Sequence, residues 1–279
     1  MDGASFIRYL AAKKTVDDRA LNRRVWDAMI SRLGTLSPRV LELGGGIGTM
    51  VERAAADPGL HPRSWTLIDA QPRLVEEARR RLVGKVPFPV ELRAADVEGF
   101  IQKNVDVFDL VVAHAFLDLL DLPRLLPEIL KLARPSGSFL FSITFDGHTA
   151  WEPEIDPSLD RSIVDLYHRT MDERIVAGRR FGDSRCGRHL LTLLPRCGYR
   201  LVEAGSSDWV VHPRDGGYPA DERFFLACIL GFFEESLSER PELDARELSA
   251  WLETRRAQLA DGELVFIAHQ LDVLAAPSA

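Results

Sequence analysis

Long apolar runs are missing from this chain of 279 residues. None approaches the roughly 18 consecutive apolar residues of a membrane-spanning helix, and the opening stretch "MDGASFIRYLAAKK" has no apolar core of signal-peptide length. Cysteine is scarce too: Cys186, Cys197 and Cys228 are an odd set without metal-ligand or redox spacing. That excludes a disulfide scaffold and leads us to expect free thiols in a cytoplasmic protein. Positive charge is in deficit, with 35 Lys and Arg against 42 Asp and Glu for a net charge of -7. Short basic runs such as Arg79-Arg80-Arg81 are interspersed with acids, so no nucleic-acid-binding face is expected. Internal repeats and low-complexity segments are also lacking. What remains, 46% hydrophobic and 28% charged residues, suits a globular protein with a sizeable core and no membrane partner.

From 38 to about 145, short apolar segments alternate with amphipathic ones, the pattern of a parallel sheet covered on both faces. The spacing predicts strands over 39–44, 65–69, 90–95, 108–114 and 138–145. Helices are predicted over 48–56, 72–83, 97–103 and 123–133, the last bracketed by Pro123 and Pro135-Ser136-Gly137. Residues 3–33 read as helical, and further helices are expected at 160–175, 186–196, 219–239 and 244–260. Strands at 200–211 and 263–271 extend the sheet, the last running antiparallel. The expected architecture is an α/β, Rossmann-like, mostly parallel seven-stranded sheet. A helical lid over 1–35 precedes a domain over 36–279, which carries insertions at 146–184 and 213–260. The Phe-rich face Phe225, Ile229, Phe232 and Phe233 reads as core or as the face of a homodimer.

The stretch "VLELGGGIGTM" (40–50) turns an apolar strand into Gly44, Gly45, Gly46 and Gly48. Such a turn before a helix lets a ligand approach the backbone. A dinucleotide site wants G-x-G-x-x-G, but the third glycine would fall on Thr49 or Val51. The spacing present is E-x-G-x-G-x-G: Glu42, Gly44, Gly46, Gly48. A carboxylate inside an apolar strand demands a compensating partner. Asp69 ends the second strand in "LIDA", Asp96 follows the third in "AADVE", and His114 ends the fourth in "VVAHAFLDLLD".

This order of motifs resembles the class I S-adenosylmethionine-dependent methyltransferases over roughly 38–145. The resemblance implies S-adenosyl-L-methionine as cofactor and methyl transfer to a small-molecule acceptor at an O, N or C nucleophile, without a metal. Glu42 and the four glycines would take the methionine tail, Asp69 with Ala70 the ribose, and Asp96 with the Val97 backbone the adenine, while His114 and Ala115 would flank the tail. The place after the fourth strand, where base-methylating relatives carry N/D-P-P-Y/F, reads "HAFL", which argues against a nucleobase acceptor. Histidine is the natural base if the acceptor arrives protonated. His114 and His148 rank ahead of His168 and His212 because each follows a strand's carboxyl end. Tyr167, His168, Met171 and Asp172, with Arg185 and Arg188, are candidates to line the acceptor pocket. Tyr9, Lys14 or Arg19 of the N-terminal lid would meet acceptor or cofactor carboxylate. The alternatives are a cofactor-binding protein without methyl transfer and a nicotinamide-dependent oxidoreductase.

Overall fold

The computed structural model describes residues 2–105, 107–176 and 178–278. The chain opens with two helices, α1 (Gly3–Ala20) and α2 (Arg23–Leu33), started by the Asp2 and Asn22 side chains, which accept from backbone N–H groups of their first turns. A βα alternation follows: β1 (Arg39–Leu43), α3 (Thr49–Ala56), β2 (Ser64–Asp69), α4 (Pro72–Leu82), β3 (Val90–Ala94), α5 (Val97–Ile101), β4 (Phe108–His114), α6 (Leu122–Ile129) and β5 (Ala133–Glu152). Next come α7 (Pro157–Asp172), a small hairpin of β6 (Ile175–Val176) and β7 (Arg179–Arg180), and α8 (Cys186–Arg196). The chain closes with β8 (Tyr199–Ser206), β9 (Trp209–Val211), α9 (Glu222–Leu237), α10 (Ala245–Asp261) and β10 (Val265–Pro277).

Among the described residues the main sheet has eight strands in the order β3-β2-β1-β4-β5-β10-β8, with β9 also pairing β10. β1 to β5 pair in parallel, whereas β10 runs antiparallel between β5 and β8. The fold is therefore Rossmann-like, as expected, with eight strands where seven are predicted. The extra one arises because the segment 200–211 is broken by a bulge in its partner. β8 pairs Leu271–Pro277 and β9 pairs Phe266–Ala268, with the β10 register shifting in between. β5 also runs well past the predicted 138–145, because its distal half, Thr149–Glu152, pairs Val265–Ala268 of β10. The sheet itself thus claims 146–152, and the helical insert starts after it.

One apolar layer packs α5, α6 and α8 on one face, and another packs α2, α3 and α4 on the opposite face. A third, aromatic cluster joins α1, α7, α9 and α10 over the ends of β5 and β10. Trp151 sits in it against Phe233, Trp251 and Phe266. Phe225, Ile229 and Phe233 of α9 are buried there, and exposed-side Phe224 is covered by the Arg8 guanidinium at 3.8 Å. No helix among the described residues is long and apolar enough to cross a membrane.

Candidate functional site

The strand order reverses between β1 and β4, and in open α/β sheets ligands bind at the carboxyl ends of strands at such a switch point. The glycine turn lies there. Gly44 (φ 62°) could not carry a side chain, because a Cβ would overlap the Phe116 ring. A Cβ at Gly46 (φ 55°) would stand in contact with Leu10 of α1, at 3.4 Å. Gly45 and Gly48 are packed by Leu67 and Leu82. A cavity of about 70 Å³ opens on this turn, walled by Glu42, Gly44, Gly45, Gly46, His114 and Ala115 from the sheet and by Leu10, Lys13 and Asp17 from α1.

Glu42 points into that cavity from a fully buried strand, and its Oε2 accepts from Trp65 Nε1 at 2.9 Å. Burial, with the Asp69 charge adding to it, pushes the Glu42 carboxyl up to about 8. The Trp65 hydrogen bond and Arg53 act to lower it, and burial outweighs both. Asp69 bridges two backbone segments: Oδ2 accepts from Gly46 N at 3.0 Å and Oδ1 from Gln71 N at 2.8 Å. Burial raises its pKa against those two bonds. Asp96 caps α5, accepting from Gly99 N at 2.8 Å, with Val97 buried beside it, and Ala70 is exposed at the end of β2. Glu42, the glycines, Asp69 and Asp96 therefore line one rim, along the carboxyl ends of β1, β2 and β3.

His114 is part of the same rim in a different capacity. Its Nε2 lies 3.0 Å from Asp17 Oδ2 and its Nδ1 2.9 Å from Ser142 Oγ. Asp17 is buried, which alone would raise its pKa, yet Lys13 and His114 beside it hold it well below the usual carboxylate range. An ionised Asp17 can only accept, so Nε2 carries the proton and Nδ1 receives the Ser142 hydroxyl. Burial meanwhile lowers His114 to about 4, the Asp17 charge opposing it. A neutral imidazole with both nitrogens committed is a strut between α1 and β4, which corrects its reading as a general base. Because its folded pKa lies below the unfolded value, the stability it contributes is complete above about pH 6.5 and is lost as pH falls toward 4. The His114 imidazole resonances should accordingly stay flat between pH 8 and 5.5 in an NMR titration. A midpoint near 6.5 would restore the free-base reading.

The lid cations are also reassigned. Lys14 pairs Asp18 at 2.7 Å, and Arg19 grips the buried Glu222 of α9, with Nη2 to Oε2 at 2.8 Å. The cation that reaches the glycine cavity is Lys13, bonded to Asp17, whose Oδ1 also accepts from Trp209 Nε1 at 2.9 Å.

A second cavity, of about 380 Å³, adjoins the first and shares the walls Leu10, Lys13 and Ala115. Tyr9 and Tyr167 line it, as the sequence suggests, together with Met171. Two of its residues, Ala115 (φ 48°) and Ile143 (φ 52°), hold left-handed backbone conformations without being glycine. That strain is retained by surrounding bonds: Ala115 N donates to Ser142 O at 2.9 Å and Ile143 N to the buried Asp272 Oδ1 at 2.7 Å.

Four other predicted residues stand elsewhere. His148 is exposed and lines a separate open cleft with His168, because residues alternate across β5 and it is Thr149 that faces the cavity. His168 is buried, with Nε2 at 3.0 Å from Thr149 Oγ1, and burial lowers it to about 4. Arg185 is exposed, its stem against Gly147, and Arg188 is tied to Asp146 at 2.8 Å. Sequence reasoning missed Lys13, Asp17, Phe116 and Gln270. Lys13 and Asp17 were findable: they fall at helical spacing on the same face as Tyr9, Ala12 and Val16, where an ion pair needs a reason.

Residues 40–137 match the family described as a methyltransferase domain. Among curated proteins, a malonyl-[acyl-carrier protein] O-methyltransferase of Paenibacillus sp. (strain JDR-2) is 28% identical over 145 residues, 50% of this chain. The chain spans about half the length of that relative, 48%. Among solved structures, a methyltransferase candidate from Bacillus halodurans C-125 superposes with a TM-score of 0.56 at 11% identity, covering 92% of this chain and 100% of that one. A SAM-dependent methyltransferase from Thiobacillus denitrificans, solved with S-adenosyl-L-homocysteine, gives 0.50 at 19% identity, covering 92% of each chain. The fold is that of these structures, and the glycine turn, Asp69 and Asp96 fall within the matched domain.

Proposed function

We propose that this chain, which carries a methyltransferase domain of the class I, S-adenosylmethionine-dependent kind, binds that cofactor along the glycine turn and transfers a methyl group to a small molecule in the adjoining cavity. The observation that carries this reading is Glu42: a buried acid in the wall of the glycine-turn cavity, its pKa raised by burial to about 8. A ligand ammonium is the partner such a group calls for. The other residues fit the rest of the molecule. Lys13 stands ready for its carboxylate, Asp69 has lone pairs left for ribose hydroxyls beyond its two amide bonds, and Asp96 with the Val97 backbone lies where an adenine edge would be met.

When bound, S-adenosylmethionine would supply an activated methyl group: the acceptor atom bonds the methyl carbon as the carbon–sulfur bond breaks and the thioether leaves. The chain contributes position. Holding two reactants aligned is worth about 7–11 kcal/mol when geometry is tight, and the shared walls Leu10, Lys13 and Ala115 bring the two cavities together. α1 acts as a lid over both. The glycine cavity is narrow, about 70 Å³, and α1 forms its outer wall through Leu10, Lys13 and Asp17. The Asp17–His114 bond and the Arg19–Glu222 and Arg53–Asp18 pairs fasten α1 there.

Calorimetric titration with S-adenosylhomocysteine and, separately, with NADH tests the reading. The first should bind and the second should not; the reverse would favour an oxidoreductase. Transfer of a deuterated methyl group from the donor to an acceptor, followed by mass spectrometry, then separates an enzyme from a protein that only binds the cofactor.

A further inference from the structure

The 380 Å³ cavity is of a size that encloses small organic ligands, and its walls are rich in rings, among them Phe6, Tyr9, Phe145, Tyr167, Trp209 and Phe232, with the cations Lys13 and Arg174 at the same wall. Several are locked by stacking, Tyr9 on Phe225 at 5.7 Å and Tyr167 on Phe233 at 3.9 Å between centroids. Rings fixed in this way offer flat apolar faces at little entropic cost on binding. Two residues of the cavity wall each carry a buried acceptor atom without a partner. Gln270 is 2% exposed and its Oε1 has no hydrogen-bond partner; Asp118 Oδ1 is likewise buried and unpartnered. Both are acceptors. Asp118 comes from the turn after β4 and Gln270 from the bulge of β10. Buried acceptors left unpaired are costly, and natural proteins keep few of them without a use.

We infer that the methyl acceptor is a largely apolar, ring-bearing molecule whose O–H or N–H group is received by Asp118 and Gln270. This rests on the methyl-transfer reading for the word acceptor alone, since the cavity's preference can be read by binding. Asp118, raised to about 6 by burial with Lys13 and Arg174 countering it, is mostly ionised at neutral pH and so is the stronger of the two acceptors.

The test uses the full chain and two probes of matched shape, 2-naphthol and 2-methoxynaphthalene, titrated with and without S-adenosylhomocysteine. The naphthol, which has the donor, should bind at least tenfold more tightly than its methyl ether. Gln270→Leu, which removes one orphan acceptor at similar volume, should narrow that ratio severalfold, and Asp118→Asn, which can itself donate, should narrow it further. Gln270→Leu should also raise Tm by a few degrees, because it removes an unpaired buried polar atom. Equal affinity for the two probes, or no binding of the naphthol in either condition, overturns the inference. Failure of S-adenosylhomocysteine to bind while naphthol selectivity persists would instead strike the cofactor reading and leave this one standing.

Discussion

Glu42→Gln should make the free protein more stable at pH 8 and a poorer binder of S-adenosylhomocysteine. The Glu42 carboxyl titrates at about 8 when folded and near 4.5 when exposed. Between those values the unfolded chain gives up its proton while the folded one keeps it, so the wild type loses stability as pH rises through that window. The span corresponds to something on the order of 4 kcal/mol at pH 8. Glutamine keeps an acceptor for Trp65 Nε1 and removes the titration. The variant should therefore melt about 5–10 °C higher at pH 8, with the difference vanishing near pH 5. Binding should show the opposite preference: an ammonium placed beside Glu42 ionises it, so wild type at pH 7 releases close to one proton on binding. Titrations in phosphate and Tris, whose ionisation heats differ, read that proton directly. Equal affinity in the two proteins and no proton release would return Glu42 to a structural partner of Trp65.

The parts of this site legible in the sequence are those set by local rules. Glu42, the glycines and Asp69 could be placed because each sits at a fixed step from the end of a short apolar strand, and strands 108–114 and helix 186–196 were readable to the residue from their periodicity alone. What escaped depends on long-range pairing. The length of β5 follows from its match with β10 more than a hundred residues later, and the break between β8 and β9 follows from a bulge in that same partner. His114 reads as a free base until Asp17, from a helix at the other end of the chain, is seen to hold it. Gln270 becomes a candidate only when its bulge turns it toward Asp118's cavity. Local chemistry thus names the rim along β1, β2 and β3, and tertiary packing names the larger cavity and the α1 contacts beside it.

Asp69→Ala should cost the largest share of affinity, and the pattern across ligands should separate its role from that of Glu42. Two hydrogen bonds from ribose hydroxyls to an ionised carboxylate are worth roughly 1.5–3 kcal/mol each, so the variant should bind S-adenosylhomocysteine about a hundredfold or more weakly. Asp69 also fastens the glycine turn through Gly46 N and braces Gln71 N, and part of any loss could come from a loosened turn. Methylthioadenosine resolves this, because it keeps the ribose and lacks the amino-acid tail. If Asp69 holds the ribose and Glu42 the ammonium, Asp69→Ala weakens both ligands alike, whereas Glu42→Gln weakens only S-adenosylhomocysteine. Asp69→Asn, which keeps one carbonyl oxygen for the turn but removes the charge, should fall between wild type and alanine for both. A variant that loses S-adenosylhomocysteine yet binds methylthioadenosine as wild type does would place Asp69 in support of the turn, and the ribose would then need another partner.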